Sequence, residues 1–421
     1  MKKMKIAITH MFLLITLTNF AQNIKSEDVL YNYVKLPTNP LNPKPIGYFS
    51  SIRASYEEEN NKMMAKYEAE KQQVEADYQR EMSEFPAKQK AADDQYAKDM
   101  EAWNAKSTAT KVLEKQLLNE NNKPVKQHVP QPYRRFVAEP KLYTTYDAAA
   151  LASTYLKIDG YNRLESNGGI SYVVDMKGFE HTNAKVVSEV KKETKITNGT
   201  STSYNVTYYH LEFSYRHPMT VRVSNAQNQD IYYNAPNELM EFKTYKTKES
   251  KTSPSVDISM ITKNMEAQIL KENLEFINHL VNDYLGYEVT ERKSTLEYVK
   301  SKGEEYADLL SAFTAADLGL KMLGKTDEQA FQKINEAIII WNEALKESDV
   351  ENKKARIDKG VTISICFNLL ECYFVTRNVI DADKIIDKLN IIDLSNRDKR
   401  QKEAFINLFM DLKMRMNSNG I

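Results

Sequence analysis

Proline placement constrains the fold of this chain more than any other feature of its sequence. Two short tracts hold four prolines each, and none follows Pro254, so the last 167 of 421 residues are proline-free. Because proline fixes φ and donates no backbone hydrogen bond, the tracts predict extended linkers over residues 22–50 and 122–145. The proline-free end predicts a helical array. The tract prolines are Pro37, Pro40, Pro43 and Pro45, then Pro124, Pro130, Pro132 and Pro140.

The first 21 residues have the build of a secretory signal peptide. Three lysines precede an apolar run from Met11 to Leu17, and the segment ends at Ala21, where we expect cleavage. The apolar run is too short to span a bilayer, and the segment has no Cys to carry a lipid. We therefore expect export to the periplasm or out of the cell, with no lipid anchor.

Charge and cysteine content exclude some classes of function. The chain has 58 basic and 58 acidic residues, and removing the three signal lysines leaves 55 against 58, a net charge of −3. This balance argues against a nucleic-acid partner, since phosphate binding needs a surplus of Lys and Arg. The two cysteines, Cys366 and Cys372, lie about 9 Å apart along a predicted helix, too far for a disulfide. We interpret both as core residues.

Residues 51–121 predict a helical arm. Apolar residues recur there at steps of three and four, while most other positions are charged or polar. The stripe is narrow, which favours a projecting arm over a core helix. Pro86 ends or kinks the helix, so either a hairpin or one long kinked helix fits the pattern. The stripe residues are Tyr56, Met63, Tyr67, Val74, Tyr78 and Phe85, then Ala92, Tyr96, Met100 and Trp103.

Residues 146–256 change to the two-residue period of β-strands. Three runs alternate apolar with polar residues, and Asn198–Gly199 is a turn signal. The pattern predicts an antiparallel sheet with one wet face, covered on the other by a second sheet or by helices such as the stretch near Ala148. The apolar positions are Ile170, Tyr172, Val174 and Met176; Tyr209, Leu211, Phe213 and Tyr215; and Met219, Val221 and Val223.

Residues 257–300 predict a helix over 261–284 and a connecting segment, with a strand or an extended lead over 287–299. Four polar residues at spacings of 3, 4 and 4 share one face of this helix, as metal ligands do. They lie opposite the apolar stripe, however, so we interpret them as solvated surface and predict no metal site. These residues are Glu272, Glu275, His279 and Asp283.

Residues 368–393, with the sequence NLLECYFVTRNVIDADKIIDKLNIID, resemble one unit of a tetratricopeptide repeat. Helix A supplies Leu369, Leu370 and Tyr373, Arg377 and Asn378 make the turn, with Arg377 where glycine is common, and helix B returns with Ala382, Ile385, Ile386 and Leu389. Residues 327–347 resemble the second helix of an earlier unit through Ala337, Trp341 and Ala344, and residues 397–416 resemble a capping helix. The resemblance implies a tetratricopeptide-like helical domain over residues 301–421.

Phe367, Glu371 and Phe374 lie on helix A away from Leu370 and Tyr373. In repeats of this class that face looks into a concave groove, so the resemblance implies that these three residues contact a partner. The alternative is that the last helix covers them, since exposed aromatic pairs are unfavourable in water unless a partner covers them.

The sequence contains none of the common nucleophile, zinc-binding or nucleotide-binding motifs, and we predict no cofactor. We therefore expect an α+β multidomain protein that is a non-enzymatic adaptor or scaffold of the cell envelope, such as a soluble periplasmic component of a secretion, motility or outer-membrane assembly machine. Its partners would be other envelope proteins, and it would be peripheral to the membrane at most. Two alternatives stay open: a periplasmic chaperone that uses the arm, and an enzyme or carbohydrate-binding module that uses the β-domain.

Overall fold

The computed structural model describes residues 23–421 except 43, 118–122, 167–168, 198, 255–257 and 301–303. The chain is mixed α and β, with antiparallel sheets and C-terminal helices. The strands are β1 Ile24–Val34, β2 Tyr48–Ala54, β3 Ile170–Met176, β4 Glu180–His181, β5 Lys185–Thr197, β6 Thr200–Arg216, β7 Met219–Ser224, β8 Asp230–Asn234, β9 Lys243–Lys246 and β10 Val289–Val299. The helices are α1 Tyr56–Ala105, α2 Thr108–Leu117, α3 Ala148–Tyr155, α4 Asn237–Met240, α5 Ile258–Leu285, α6 Ala307–Met322, α7 Asp327–Ala344, α8 Lys359–Val375, α9 Val379–Asn390 and α10 Asn396–Ser418.

The first sheet has the order β2-β3-β7-β8 and is mixed, not purely antiparallel as predicted, because β2 pairs with β3 in parallel. The predicted alternation is otherwise confirmed: Tyr172, Val174 and Met176 of β3 are fully buried, as are the matching residues of β7. Their face packs in one hydrophobic cluster with the apolar stripe of α5, including Leu274 and Ile277. Helix α3 packs against β2. This cluster is the first of two cores.

The second sheet is built on a long hairpin. Strand β6 lies between β4 and β5 and also pairs with β9, all antiparallel. Register places Thr197 opposite Thr200, and Gly199 between them has a φ of +79°. Residue Asn198 lies outside the described residues. Glycine fits this turn because φ is positive.

Helix α1 runs for 50 residues and continues through Pro86, so the hairpin at that proline is wrong and the single long helix is what forms. It is about 75 Å long. The arm also does not begin at residue 51, because residues 51–54 belong to β2. Tyr56 is buried in the first core. Only Ser55 separates β2 from α1, so the helix follows directly from the sheet.

Residues 123–146, here called the strap, correct the prediction of a linker over 122–145. The strap has no regular secondary structure, but it lies along α1 in the opposite direction. Lys126 is 2.6 Å from Asp93, Arg134 is 2.9 Å from Glu75, and the backbone of residue 143 exchanges two hydrogen bonds of 2.9 Å with the side chain of Asn60.

The lengths of the helix and the strap agree. Between residues 60 and 93 the helix rises about 50 Å, and between residues 126 and 143 an extended proline-rich chain spans about 53 Å. The prolines therefore act as predicted in keeping the chain extended, but ion pairs and hydrogen bonds fix it to the helix. The strap lies against the apolar stripe of the arm: Arg134 lies over the ring of Tyr78, and Val74 is buried.

Strands β1 and β10 pair antiparallel over their whole length, from Ile24 opposite Val299 to Val34 opposite Val289. This pair, here called the ribbon, corrects the prediction of a linker over 22–50. Of the two possibilities for residues 287–299, the strand is the one found, over Val289–Val299. The linker prediction gave weight to prolines that begin only at Pro37, and it missed the inward alternation of Val29 and Tyr31. One face of the ribbon is part of the second core.

The second core is formed by the ribbon and the C-terminal helices. Helices α6 and α7 pack as one pair and α8 and α9 as another. The residues expected to pack are buried, including Ala337 and Trp341 in α7 and Ala382 and Leu389 in α9. Helix α8 is buried on nearly all sides. Cys366 and Cys372, both within it, are buried free thiols as expected.

Across the described ranges, no helix is both long enough and apolar enough to cross a membrane.

Candidate functional site

The three residues predicted to contact a partner lie in the interior, which corrects the prediction of an open groove. Phe367, Glu371 and Phe374 have exposed fractions of 2%, 1% and 5%. Helix α10 covers the two aromatic rings: Phe367 stacks on Phe405 at 6.0 Å, and Phe374 meets Phe409 edge-on at 6.3 Å. The alternative, that the last helix covers them, is what the structure shows.

Glu371 is a buried ion-pair partner for the ribbon. Arg292 of β10 donates two hydrogen bonds to its carboxylate, at 2.7 and 3.0 Å, and the Tyr31 hydroxyl of β1 donates another. Burial alone would lower the pKa of Arg292, but the Glu371 carboxylate outweighs it and holds the pKa above its usual value. The guanidinium also lies 5.2 Å from the ring centre of Phe374.

Two further polar residues of α8 fasten the ribbon on the same side. Asn368 accepts from the backbone N–H of Glu297 at 2.9 Å and donates to its carbonyl at 2.7 Å, as a neighbouring strand would. Ser364 donates to the Glu297 carboxylate at 2.6 Å. Ser364, Asn368 and Glu371 are spaced by four and three residues, so they form one polar stripe on an otherwise apolar helix. That spacing is a sequence signal for a docked polar partner, which the repeat resemblance does not reveal.

A cleft of about 860 Å³ opens beside these buried residues. Its walls are the C-terminal end of β1, Val289 of β10, the α6–α7 turn with one face of α7, the α8–α9 turn and one face of α10. The size lies within the range of ligand-binding pockets. The apolar lining includes Tyr33, Phe331, Ile338, Val375, Leu408 and Leu412.

Most charges around the cleft are internally paired. Asp283 accepts from Lys35 at 2.7 Å and from Arg415 at 2.8 Å, and Arg415 also bonds Asp411 at 2.8 Å. Asp381 accepts from Lys384 at 2.7 Å. The Asp283–Arg415 pair joins α10 to α5, while the Asp381–Lys384 pair lies within α9. Together they leave little unbalanced charge at those positions.

Arg377 differs from the other basic residues of the cleft, Lys35 and Arg415, which are both paired with Asp283. It stands in the α8–α9 turn with a φ of +56°, the left-handed conformation that favours glycine. Its side chain is half-buried, and burial lowers the pKa of its guanidinium. Among the residues that the structure describes, no carboxylate pairs with it. The sequence pattern had marked this position only as a turn.

The polar residues of α5 and the tyrosines of the β-domain do not form a metal site or a catalytic site among the described residues. Of the four polar residues on α5, His279 contacts Glu288 at 3.2 Å and Asp283 is held by Lys35 and Arg415. No group of three or more His, Cys, Asp or Glu able to hold a metal occurs in the described part of the chain. In the β-domain, Tyr204 and Tyr208 both donate to Glu193.

Comparison of the chain with family models, with curated proteins and with solved structures gave no match.

Proposed function

We propose that this protein is an exported, non-enzymatic adaptor of the cell envelope, and that its C-terminal cleft holds a segment of a partner protein. In this proposal the chain has three parts: the arm, the sheets with α5, and a tetratricopeptide-like helical domain with the ribbon packed on it. The observation that carries the proposal is the cleft of about 860 Å³, whose apolar lining stands beside Arg377. Apolar walls with a few polar groups are typical of binding sites.

The arm supports a second contact surface, which an adaptor requires. The strap presents Tyr133 and Phe136 to solvent, with exposed fractions of 76% and 90%. These two exposed aromatic side chains offer apolar surface for a partner to cover. Because ion pairs fix the strap along α1 and Arg134 lies over Tyr78, part of the apolar stripe is already covered, which favours the adaptor over a chaperone that grips clients through the stripe.

Site-specific photo-cross-linking tests the cleft. A photoreactive phenylalanine at Phe331, which lines the cleft, should give one discrete cross-linked product in the cells that make the protein. The matched control is the same group at Ile339, which lies on the same helix outside the cleft and is 64% exposed. Equal labelling from both positions, or no product from Phe331, would overturn the proposal.

Export is tested separately, because residues 1–21 lie outside the described residues. Cell fractionation with N-terminal sequencing should find the mature chain beginning after Ala21. An intact Met1 on a cytoplasmic protein would refute export while leaving the cleft proposal unaffected.

A further inference from the structure

Arg377 is the least explained charged residue of the cleft. At the end of α8 its backbone N–H donates to the carbonyl of Phe374 at 3.2 Å, closing the helix as glycine usually does. A β-carbon at a φ of +56° is unfavourable for the fold. The backbone therefore gives no reason for an arginine here, and any role that it has lies in its side chain.

The surroundings of the side chain lack the group that normally accompanies a half-buried arginine. Arg292 is paired with Glu371, Arg356 with Asp308 and Glu347, and Arg415 with Asp283 and Asp411. Over the described ranges, Arg377 has no such partner. Removing a guanidinium from water without an opposite charge is unfavourable, so a ligand that brings a carboxylate would gain by meeting it.

The groups around the α8–α9 turn favour a side-chain carboxylate over the carboxylate of a chain terminus. Chain termini are usually held by free backbone N–H groups. In the first turn of α9, however, two of the first three N–H groups are already engaged, because that of Asp381 donates to the Asn378 side chain and that of Val379 donates to the carbonyl of Arg377. A side-chain guanidinium with its planar fork suits the carboxylate of Asp or Glu instead.

We infer that the cleft binds an extended protein segment that carries apolar side chains and one acidic side chain, with the Asp or Glu carboxylate meeting Arg377. This inference rests on the proposed function, because it names the chemistry of the segment that the cleft would hold. Apolar side chains would lie against Phe331 and Leu408, and the acidic one would reach the α8–α9 turn.

The probe is a library of random 12-residue peptides displayed between two flanking protein segments, so that no free terminus is present. The library is selected on the full chain, and clones are kept if binding is lost on Phe331→Ser and retained on Ile339→Ser. Cleft-dependent clones should share apolar residues and an Asp or Glu. Replacing that residue with its amide should weaken binding by about tenfold or more.

The decisive comparison measures the acidic peptide and its amide variant against the Arg377→Gln protein. The two affinities should differ little there, because the guanidinium that would bind the carboxylate is gone. Arg377→Lys should recover part of the affinity, since it keeps the charge and loses the fork. Arg400→Gln removes the same charge from an exposed site on α10 and should behave as the parent chain. Arg377→Gly should bind weakly while remaining folded, which separates lost binding from lost structure.

The outcomes separate the two proposals. Cleft-dependent peptides without an acidic residue, or an amide effect of equal size on Arg377→Gln, would overturn the carboxylate inference and leave the cleft proposal standing. A library without any peptide that depends on Phe331 would overturn both.

Discussion

The buried pair between Glu371 and Arg292 should be a main support of the second core, and its removal should show this in solution. Glu371→Gln keeps the shape of the side chain and removes the charge, so Arg292 loses its counter-charge. Breaking a buried pair on one side lowers the free energy of unfolding by about 3–5 kcal/mol. The Arg292 side chain is 26% exposed, which lets water solvate part of it, so we expect a loss near the lower end, about 3 kcal/mol.

The assay is urea unfolding of the full chain, followed by tryptophan fluorescence. The chain has two tryptophans, and Trp341 is buried in the same core as Glu371's neighbours. Trp103→Phe therefore gives a background in which Trp341 alone reports on the C-terminal core. Glu343→Gln, which breaks an exposed pair with Lys346, is the control and should change little.

A double-mutant cycle isolates the pair. Arg292→Met together with Glu371→Met leaves no unpaired charge, so the double variant should be more stable than Glu371→Met alone. We expect a coupling energy of about 2 kcal/mol. A coupling energy near zero, or a Glu371→Gln chain within about 1 kcal/mol of the parent, would refute the view that this pair holds the ribbon on α8.

Three further predictions follow from other parts of the fold. Burial lowers the pKa of His217 to about 4, so the folded chain keeps this ring neutral while the unfolded chain protonates it near pH 6.5. The free energy of unfolding should therefore fall from pH 6.5 toward pH 4, by an amount of the order of 3 kcal/mol. In a pH series of urea titrations, His217→Phe should flatten this part of the curve. Residues 65–139 can be removed and the gap closed with a short Gly-Ser linker, because the helix and the strap lie side by side near Asn60. The thermal unfolding of both cores should then occur at an unchanged temperature. A chain that fails to fold would contradict this placement. Gly319→Ala should lower the free energy of unfolding by about 1–3 kcal/mol in chemical denaturation. The new β-carbon would lie 2.8 Å from Ile334 and 2.9 Å from the carbonyl of residue 330. An unchanged midpoint would show that α6 and α7 can separate there without losing stability.

Sequence patterns predicted most local structure because they report on burial within one element. The alternation at Tyr172 and Val174 and the helical stripe at Leu274 and Ile277 place the same residues in the core that the structure buries. The pattern was least informative where a partner element decides the outcome. The first strand has only three inward positions, and its role depends on β10, far along the chain. The sequences of β2 and β3 carry no signal that the two strands pair in parallel.

The candidate site shows the same limit. Phe367 and Phe374 had the spacing of an exposed helix face, but whether α10 covers that face is a tertiary fact that the spacing does not contain. Glu371 was assigned to the correct face for the wrong purpose, because its partner Arg292 lies in another element. For Arg377 the sequence indicates only a turn position at which glycine is common. The cleft is built from five separate stretches of chain, so no single motif could predict it.

The ribbon also bears on how the molecule folds. Strand β1 pairs with β10, which follows it far along the chain, and α8, whose surface covers both strands, lies later still. Until β10 is in place β1 has an unpaired edge, and closing so long a loop is entropically slow. The second core therefore needs segments from distant parts of the chain, and an isolated fragment of residues 301–421 would lack Val29, Tyr31 and Leu296 from its interior.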